Sequence, residues 1–594
     1  MKSKKVKNNM PIKNTKALLV FSIFITVVFT SLSSIADKGL SKSDYLDFME
    51  AAVCAYSDNR LHSYLAEAQR DGVQEHGFPR LAANLAILVA NGRLVEKRDL
   101  AKKMMDVACR DARKGVMPPK SGGNEFSVKE LAIALSELEK QKTFPSSLIE
   151  SWRNALKLIT SERCYTLGRL QLDLLTSHNW AVFCAASEQA RLHRGLGGDS
   201  RIVERFVADQ LRWFDSCGMF RDPHQPIVYD IVTRLQFAQI LTDGFSGVSR
   251  QKLEEYMELA AEPTLKLLST CGEIPYGGRT NQFLHNNTLY SALCEWYAAR
   301  FAKKGDKLKA SQFRRAALES ANAMRFWLAQ SEVSHVKNRY PRESSKGVFS
   351  EKADIGCERY AYFDKYMITM GSWAILGWYF VDETIPAASY KPKKPEVFLL
   401  SPTFHMALMT AGEYSAQFDY CANNHYDSNG LGRLHRRGAP VQICLSMPCA
   451  KEPSYRLPEL NKSSLAIAPI VPENVNWNIM HEAKTAKFAL TKWRVGNLDW
   501  ECRLSSEGME MELAGVGELA LNIPAFKFDG LESTRIVNDD TTVSVFYQGW
   551  VCRYRTDGVI TPSNFVVSNR NGQYAAFCAT GKDKLKVWIS IEKE

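Results

Sequence analysis

The sequence predicts an α+β protein of two domains, a helical half followed by an antiparallel β half, and three observations predict it. The chain of 594 residues exceeds the length at which a single hydrophobic core usually stops growing. From about Leu40 to Asp382 apolar residues recur at helical spacing, as in LAANLAILVANGRL, SALCEWYAARFAKKG and MITMGSWAILGWYFVD. Beyond residue 397 the pattern changes to short alternating and β-branched runs with turns between them.

The N-terminus comes first. Lys2, Lys4, Lys5, Lys7, Lys13 and Lys16 stand there with no acid, and an apolar run from Ala17 to about Leu32 follows. Ser34-Ile35-Ala36 offers small residues for cleavage before Asp37, so residues 1–36 have the layout of a signal peptide, and the apolar run is short for a membrane span. The expectation is an exported protein, periplasmic or secreted, with no membrane attachment after cleavage.

Residues 37–385 form the expected helical domain. A succession of helical hairpins can close into a ring without identical repeats, and an (α/α) toroid is inferred, its connecting loops along one rim where sites are usually built. AASYKPKKPE has the composition of a linker. Residues 398–594 hold VQICLSMP, SSLAIAPIVP, AKFALTKWRV, TTVSVFYQGWVCRYR and LKVWISIE, strand patterns that argue an antiparallel β-sandwich.

The formal charge of +11 drops by six, to +5, without the N-terminal lysines, too mild and dispersed for a nucleic-acid protein. An acidic polymer suits it better. Fourteen cysteines lack any CxxC pair, and those in apolar helical context, such as Cys184 and Cys294, read as buried thiols rather than a disulfide framework or a zinc site.

Four stretches of the helical half carry chemistry. TSHNWAVFCAASEQAR sets His178 and Asn179 at the head of an amphipathic helix, where N-capping is the alternative role. GMFRDPHQPIVYDIVTR holds Arg221, Asp222, Tyr229, Asp230 and Arg234, with prolines that stop a helix from running through residues 222–226. GEIPYGGRTNQFLHNN holds Glu273, a flexible Gly277-Gly278, then Arg279, Asn281, Gln282, His285 and Asn286 leading into a helix. Amides and a guanidinium near a helix N-terminus suit an anionic, hydroxyl-rich ligand. DIGCERYAYFDKYMITMGSW alternates Tyr360, Tyr362 and Tyr366 with Glu358 and Asp364, aromatic platforms and carboxylates that suit sugar rings, or interfacial core.

In the strand half, YCANNHYDSNGLGRLHRRGAP crowds His425, Tyr426, Arg433, His435, Arg436 and Arg437 into a Gly-rich loop. With His405 the two histidines match no tight zinc-ligand spacing.

HNW at a helix start, the RDPxxPxxYD loop and the HYDxxGLGRLH loop, on a helical domain followed by strands, resemble the heparinase II/III-type polysaccharide lyases and their alginate lyase relatives. The resemblance covers most of the chain beyond residue 36 and rests on architecture and residue order. It implies that Asn179 and His178 neutralise a substrate carboxylate, that Tyr229 acts as acid and base, and that His425 or His435 assists from the sandwich. GGRTNQFLHNN and ERYAYFDKY have no counterpart in that pattern.

Such chemistry needs these residue types. β-Elimination removes the proton α to a uronate carboxylate, which requires groups that hold the carboxylate and stabilise enolate-like charge, and a tyrosine then shuttles the proton. No metal or organic cofactor is needed. Arg221, Arg279, Asn281, Gln282, His285, Asn286 and the tyrosines 360, 362 and 366 are the expected substrate contacts. Two other readings stand beside elimination. Hydrolysis, glucuronidase-like, would use two carboxylates among Asp222, Asp230, Glu273, Glu358 and Asp364; a non-catalytic glycan-binding protein would use the same aromatics and amides only to hold a chain.

Overall fold

The computed structural model describes residues 38–114, 123–167, 178–280, 283–329, 363–422, 427–443, 456–457, 462–463, 466–472, 475–529, 532–569 and 571–594. The expected leader therefore lies outside the described residues. No helix among them is long and apolar enough to cross a membrane.

Helices fill the first part of the chain. Those introduced here are α1 (Lys42–Cys54), α2 (Asp58–Asp71), α3 (Gly77–Ala90), α4 (Arg98–Ala112), α5 (Val128–Lys140), α6 (Ser146–Lys157), α7 (Ser161–Cys164) and α8 (His178–His193). They continue as α9 (Ser200–Gln210), α10 (Ile227–Thr242), α11 (Arg250–Leu259), α12 (Ala261–Leu267), α13 (His285–Lys303), α14 (Lys307–Ala329) and α15 (Phe363–Phe380). Their starts follow local chemistry. Ser41 heads α1 in a capping box with Asp44, Ser57 caps α2 and Asp199 caps α9. Pro223 and Pro226 hold off α10 until Ile227, as expected.

Burial divides these helices into two kinds. α3, α5, α8, α10, α13 and α15 are buried along most of their length, the fate of helices that are apolar nearly all round. α4, α6, α9 and α11 keep one charged face in solvent. The buried six neighbour one another in cyclic order: α3 packs on α5, α5 on α8, α8 on α10, α10 on α13, α13 on α15, and α15 again on α3. Each also packs on a more exposed helix, α4, α6, α9, α11, α14 and α1 respectively.

The α15–α1 pair joins distant parts of the chain, and polar bonds pin it. The buried Arg314 guanidinium of α14 pairs with Glu295 of α13 at 2.5 Å and donates to the carbonyls of Leu40 (2.7 Å) and Ile385 (3.0 Å). The Tyr45 hydroxyl of α1 lies 2.8 Å from that of Ser291. Burial pushes the Glu295 carboxyl up to about 7 against the pull of Arg314.

The second part is antiparallel throughout. A four-stranded sheet runs in the order β1 (Lys393–Leu399), β2 (Met406–Gly412), β3 (Tyr414–Asp419), β4 (Gly430–Arg436). The short β5 (Arg456–Leu457) and β6 (Lys462–Ser463) pair with each other. A larger sheet contains β7 (Trp477–Lys484), β8 (Phe488–Val495), β9 (Leu498–Ser505), β10 (Gly508–Phe528), β11 (Arg535–Asn538), β12 (Thr542–Tyr547), β13 (Trp550–Thr556), β14 (Val559–Asn569) and β15 (Gly572–Lys593). Its path is β11-β12-β13-β15-β10-β9-β8-β7, with β14 on β15. The two sheets share one apolar core, in which Phe418 of β3 lies 5.6 Å from the rings of both Trp493 and Trp500.

Not every run became a strand as expected. AKFALTKWRV supplies β8 and TTVSVFYQGWVCRYR the β12–β13 hairpin, whereas Val441–Ile443 of VQICLSMP form a turn, and the described residues of SSLAIAPIVP give Ser463 to β6 and bridges at Ile467 and Pro469. The linker stretch already contains the start of β1 at Lys393, ahead of the expected boundary at 398. Cys184 and Cys294 are buried free thiols, as expected.

The two parts touch through the loop before α13. Gln417 donates to the Tyr276 carbonyl at 2.9 Å, and Arg433 to the carbonyls of Glu273 (3.2 Å) and Leu267 (3.3 Å). The Asp427 carboxylate accepts the Gly278 N–H at 2.6 Å. A strand-side face thus props the loop that carries Arg279.

Candidate functional site

All six buried helices, or the turns leading into them, contribute residues to one cavity of about 320 Å³. His76 precedes α3 and Arg80 sits in its first turn; Phe126 precedes α5; Asn179, Trp180 and Phe183 come from the start of α8, Tyr229 and Val232 from that of α10. Arg279 and Thr280 stand in the loop before α13, whose first residue is His285, and Lys365, Tyr366, Thr369 and Trp373 come from α15. The first N–H groups of a helix lack partners within it, and its N-terminus carries partial positive charge. Arg80, Arg279 and Lys365 add three cations, and among the described residues no carboxylate lines the cavity.

One wall joins the three loops singled out in the sequence. The Arg279 guanidinium lies 4.1 Å from the centre of the Tyr229 ring and pairs with Asp222. The other Asp222 oxygen accepts the Asn179 N–H at 3.4 Å. Asp222 is 2% exposed, and burial pushes its carboxyl up to about 6, with Arg279 and the Asn179 N–H pulling the other way.

The two glycines before Arg279 are pinned rather than flexible. Gly278 has φ +74°, and a Cβ there would lie 2.7 Å from Pro226 Cβ; at Gly277, φ +148°, it would meet Met406 Cε at 2.2 Å. The Gly277 carbonyl accepts the Ile227 N–H at 3.0 Å, so this turn and the start of α10 fix each other.

The opposite wall is cationic and aromatic. Arg80 donates to the Phe126 carbonyl (2.9 Å) and to Thr369 Oγ1 (3.4 Å), and its guanidinium lies 5.7 Å from the Trp373 ring, with Glu130 3.8 Å behind it. Lys365 is buried, which lowers its ammonium to about 8; Glu75 opposes that shift and Arg80 adds to it. Glu75 is held by the Tyr64 hydroxyl and by the N–H groups of Gly77 and Phe78 at the start of α3. His76 stacks on Phe126 at 5.0 Å, Trp180 meets Phe126 edge-on at 5.6 Å, and His285 lies 5.6 Å from Tyr366. The result is a set of ring faces with cations between them.

Of the residues expected at a site, the cavity brings together Asn179, Tyr229, Arg279, His285 and Tyr366, with Asp222 directly behind them. Others are placed elsewhere. The His178 ring packs on Trp213 at 4.1 Å, and Arg221 donates to the Trp213 (3.2 Å) and Arg212 (2.8 Å) carbonyls. Asn286 lies behind the wall, donating to the Thr280 carbonyl at 2.8 Å. Asp230 is a buried partner of Arg234 at 2.6 Å, and Glu273 accepts from Trp327 Nε1 at 2.6 Å, so both carboxylates serve packing away from the cavity. His435 Nδ1 lies 2.9 Å from the Ser269 hydroxyl in the junction between the two parts, and His405 Nδ1 lies 2.8 Å from Asp419. His425, Asn281, Gln282, Tyr360, Tyr362 and Glu358 lie outside the described residues, as does the Asp364 side chain. No cluster of metal-ligating side chains occurs among the described residues.

His76, Arg80, Lys365 and Trp373 line the cavity without having been singled out. The available signal was a lone cation near the start of an otherwise apolar helix, Arg80 just before LAANLAILVA and Lys365 just before MITMGSWAILGW.

No protein-family description and no curated protein matches the chain. Among solved structures, it is similar to part of a 4-alpha-glucanotransferase from Thermococcus litoralis, at 9% identity and a TM-score of 0.23, over 64% of this chain and 59% of that one. At that score the likeness says nothing about the fold or activity of this chain.

Proposed function

We propose that the chain is a carbohydrate-active enzyme that cleaves a uronic-acid-containing glycan by β-elimination, on an (α/α) toroid followed by a β-sandwich. The cyclic order of the six buried helices supports the toroid. The observation that carries the activity is the cavity itself: three cations and no lining carboxylate among the described residues, with a tyrosine against one of the cations. An anion belongs there.

In this reading Asn179 and Arg279 hold the uronate carboxylate, so that negative charge developing on it as the α carbon loses its proton is stabilised in place. Tyr229 takes the C5 proton. The C5 electron pair forms the C4–C5 double bond as the C4–O bond breaks, and the leaving oxygen receives a proton from the tyrosine hydroxyl. His285 and Tyr366 face the ring hydroxyls. Hydrolysis would need two carboxylates flanking the bond; it stands as the second reading, with Asp222, behind Arg279, as its one nearby acid.

The test incubates the protein with acidic oligosaccharides while following ultraviolet absorbance and new reducing ends together. Both rise if the bond is eliminated, because only elimination leaves a conjugated unsaturated uronate. Reducing ends without absorbance would replace this reading by hydrolysis, and silence in both by binding alone.

A further inference from the structure

A second basic groove lies between the helices and the four-stranded sheet. It encloses about 780 Å³ and shares no lining residue with the cavity. Six cations line it, Lys266, Lys309, Arg315, Lys391, Lys393 and Arg437, against two carboxylates, Glu262 and Glu319. Glu319 is already engaged by Arg315 (2.5 Å) and Arg437 (3.1 Å), and Lys266 by Glu396 (2.5 Å).

Lys309, Lys391 and Lys393 form no ion pair within 4.0 Å among the described residues. Lys393 feels this crowding: burial of its ammonium lowers its proton affinity, Lys266 and Arg437 lower it further, and Glu319 and Glu396 oppose them. A fold that gathers like charges in a concave surface pays a repulsion that a bound polyanion relieves. The Arg437 guanidinium lies 3.7 Å from the centre of the Tyr390 ring, which leaves a flat, cation-faced platform among the lysines.

We infer that this groove between the helical and strand parts is a separate binding site for an anionic glycan chain, which holds the polymer by carboxylate or sulfate groups away from the cavity. The identity of the polymer as a glycan rests on the acidic-glycan reading of the cavity; the anion site itself rests on the groove. The site raises the local concentration of chain and leaves the reaction at the cavity unaltered, so it matters for long substrates and not for short ones.

The experiment uses the full chain, with polygalacturonate and dextran sulfate as polyanionic probes, neutral dextran as control, and titration at two salt concentrations. Lys391→Ser/Lys393→Ser removes two cations on the strand side, and Lys309→Gln tests the helix side separately. The double variant should bind one or both polyanions roughly tenfold more weakly, the factor that two charge contacts supply, with a shallower salt dependence. Arg279→Ala, which alters the cavity, should leave the affinity for dextran sulfate, which carries no uronate, in place. The inference is overturned if both groove variants bind as the parent does, if neutral dextran binds as well as the polyanions, or if the parent binds neither polyanion. Turnover of short acidic oligosaccharides by the same variants decides the cavity reading on its own, so the two can fail separately.

Discussion

At the scale of single residues, Tyr229 and Asp222 make opposite predictions. Tyr229→Phe removes the proton shuttle and leaves the ring under Arg279, so turnover should fall by about 10²–10⁴-fold, with ligand binding and unfolding midpoint little changed. Retained ultraviolet product would exclude Tyr229 as the base. Asp222 controls charge. Below about 6 it is protonated and no longer neutralises Arg279, so affinity for an anionic ligand should rise as pH falls through that value; above about 8 Lys365 loses its charge and affinity should fall again. Asp222→Asn should bind anions more tightly near pH 7 and lose the step near pH 6, and calorimetric titration across pH 5–9 would expose a step that survives. For stability the sign is the reverse of the usual carboxylate. Its raised folded-state value makes the Asp222 contribution greatest below about 4, and lost as pH rises through about 6. Described residues of HNW, RDPHQPIVYD and GGRTNQFLHNN meet at one cavity, and in the last two Pro and Gly mark the loops that precede inward-facing helices. Arg80 and Lys365 escaped because each is one cation on an apolar helix, and the Arg80–Thr369 contact spans 289 positions of sequence that no local pattern encodes.

At the scale of elements, the turn before α13 decides whether the cavity keeps its shape. Gly278→Ala forces a Cβ against Pro226 in a left-handed conformation, which should cost about 1–2 kcal/mol from backbone conformation alone and more from the overlap. Urea unfolding measures that loss, and ligand affinity should fall further, because Arg279 follows directly. An Ala variant with parental affinity would show that the turn does not position the guanidinium. Helical periodicity located α3, α13 and α15 well, since their apolar runs are long. The sheets were less legible. β10 and β15 run 21 and 22 residues and pair along most of that length, while the sequence pattern of β15 was evident only in its final LKVWISIE. Bulges interrupt their register, between Ala514 and Glu518 among others, and each resets the alternation on which strand recognition depends.

At the scale of the whole molecule, Arg314 joins α14 to Glu295, to the chain ahead of α1 and to the segment after α15. Arg314→Ala strands a buried carboxylate and two carbonyls, so it should lower stability by about 3–5 kcal/mol, whereas Arg314→Met with Glu295→Leu should recover much of that loss. Thermal unfolding of the two variants checks it, and equal losses would mean that the carbonyl contacts and not the ion pair matter. The cyclic helix order also has a consequence for how the chain is made. Five of the buried helices pack on an outer helix close by in sequence, but α15 takes α1, and the Lys42 N–H bonds to Glu383 across 341 residues. During synthesis α1 emerges long before α15; it meets α3 early, but its contact with α15 waits until that helix has left the ribosome. The face of α1 that α15 covers is therefore open to misassociation during that interval, and the α1–α15 pairing is the most sequence-distant of the six inner–outer helix contacts.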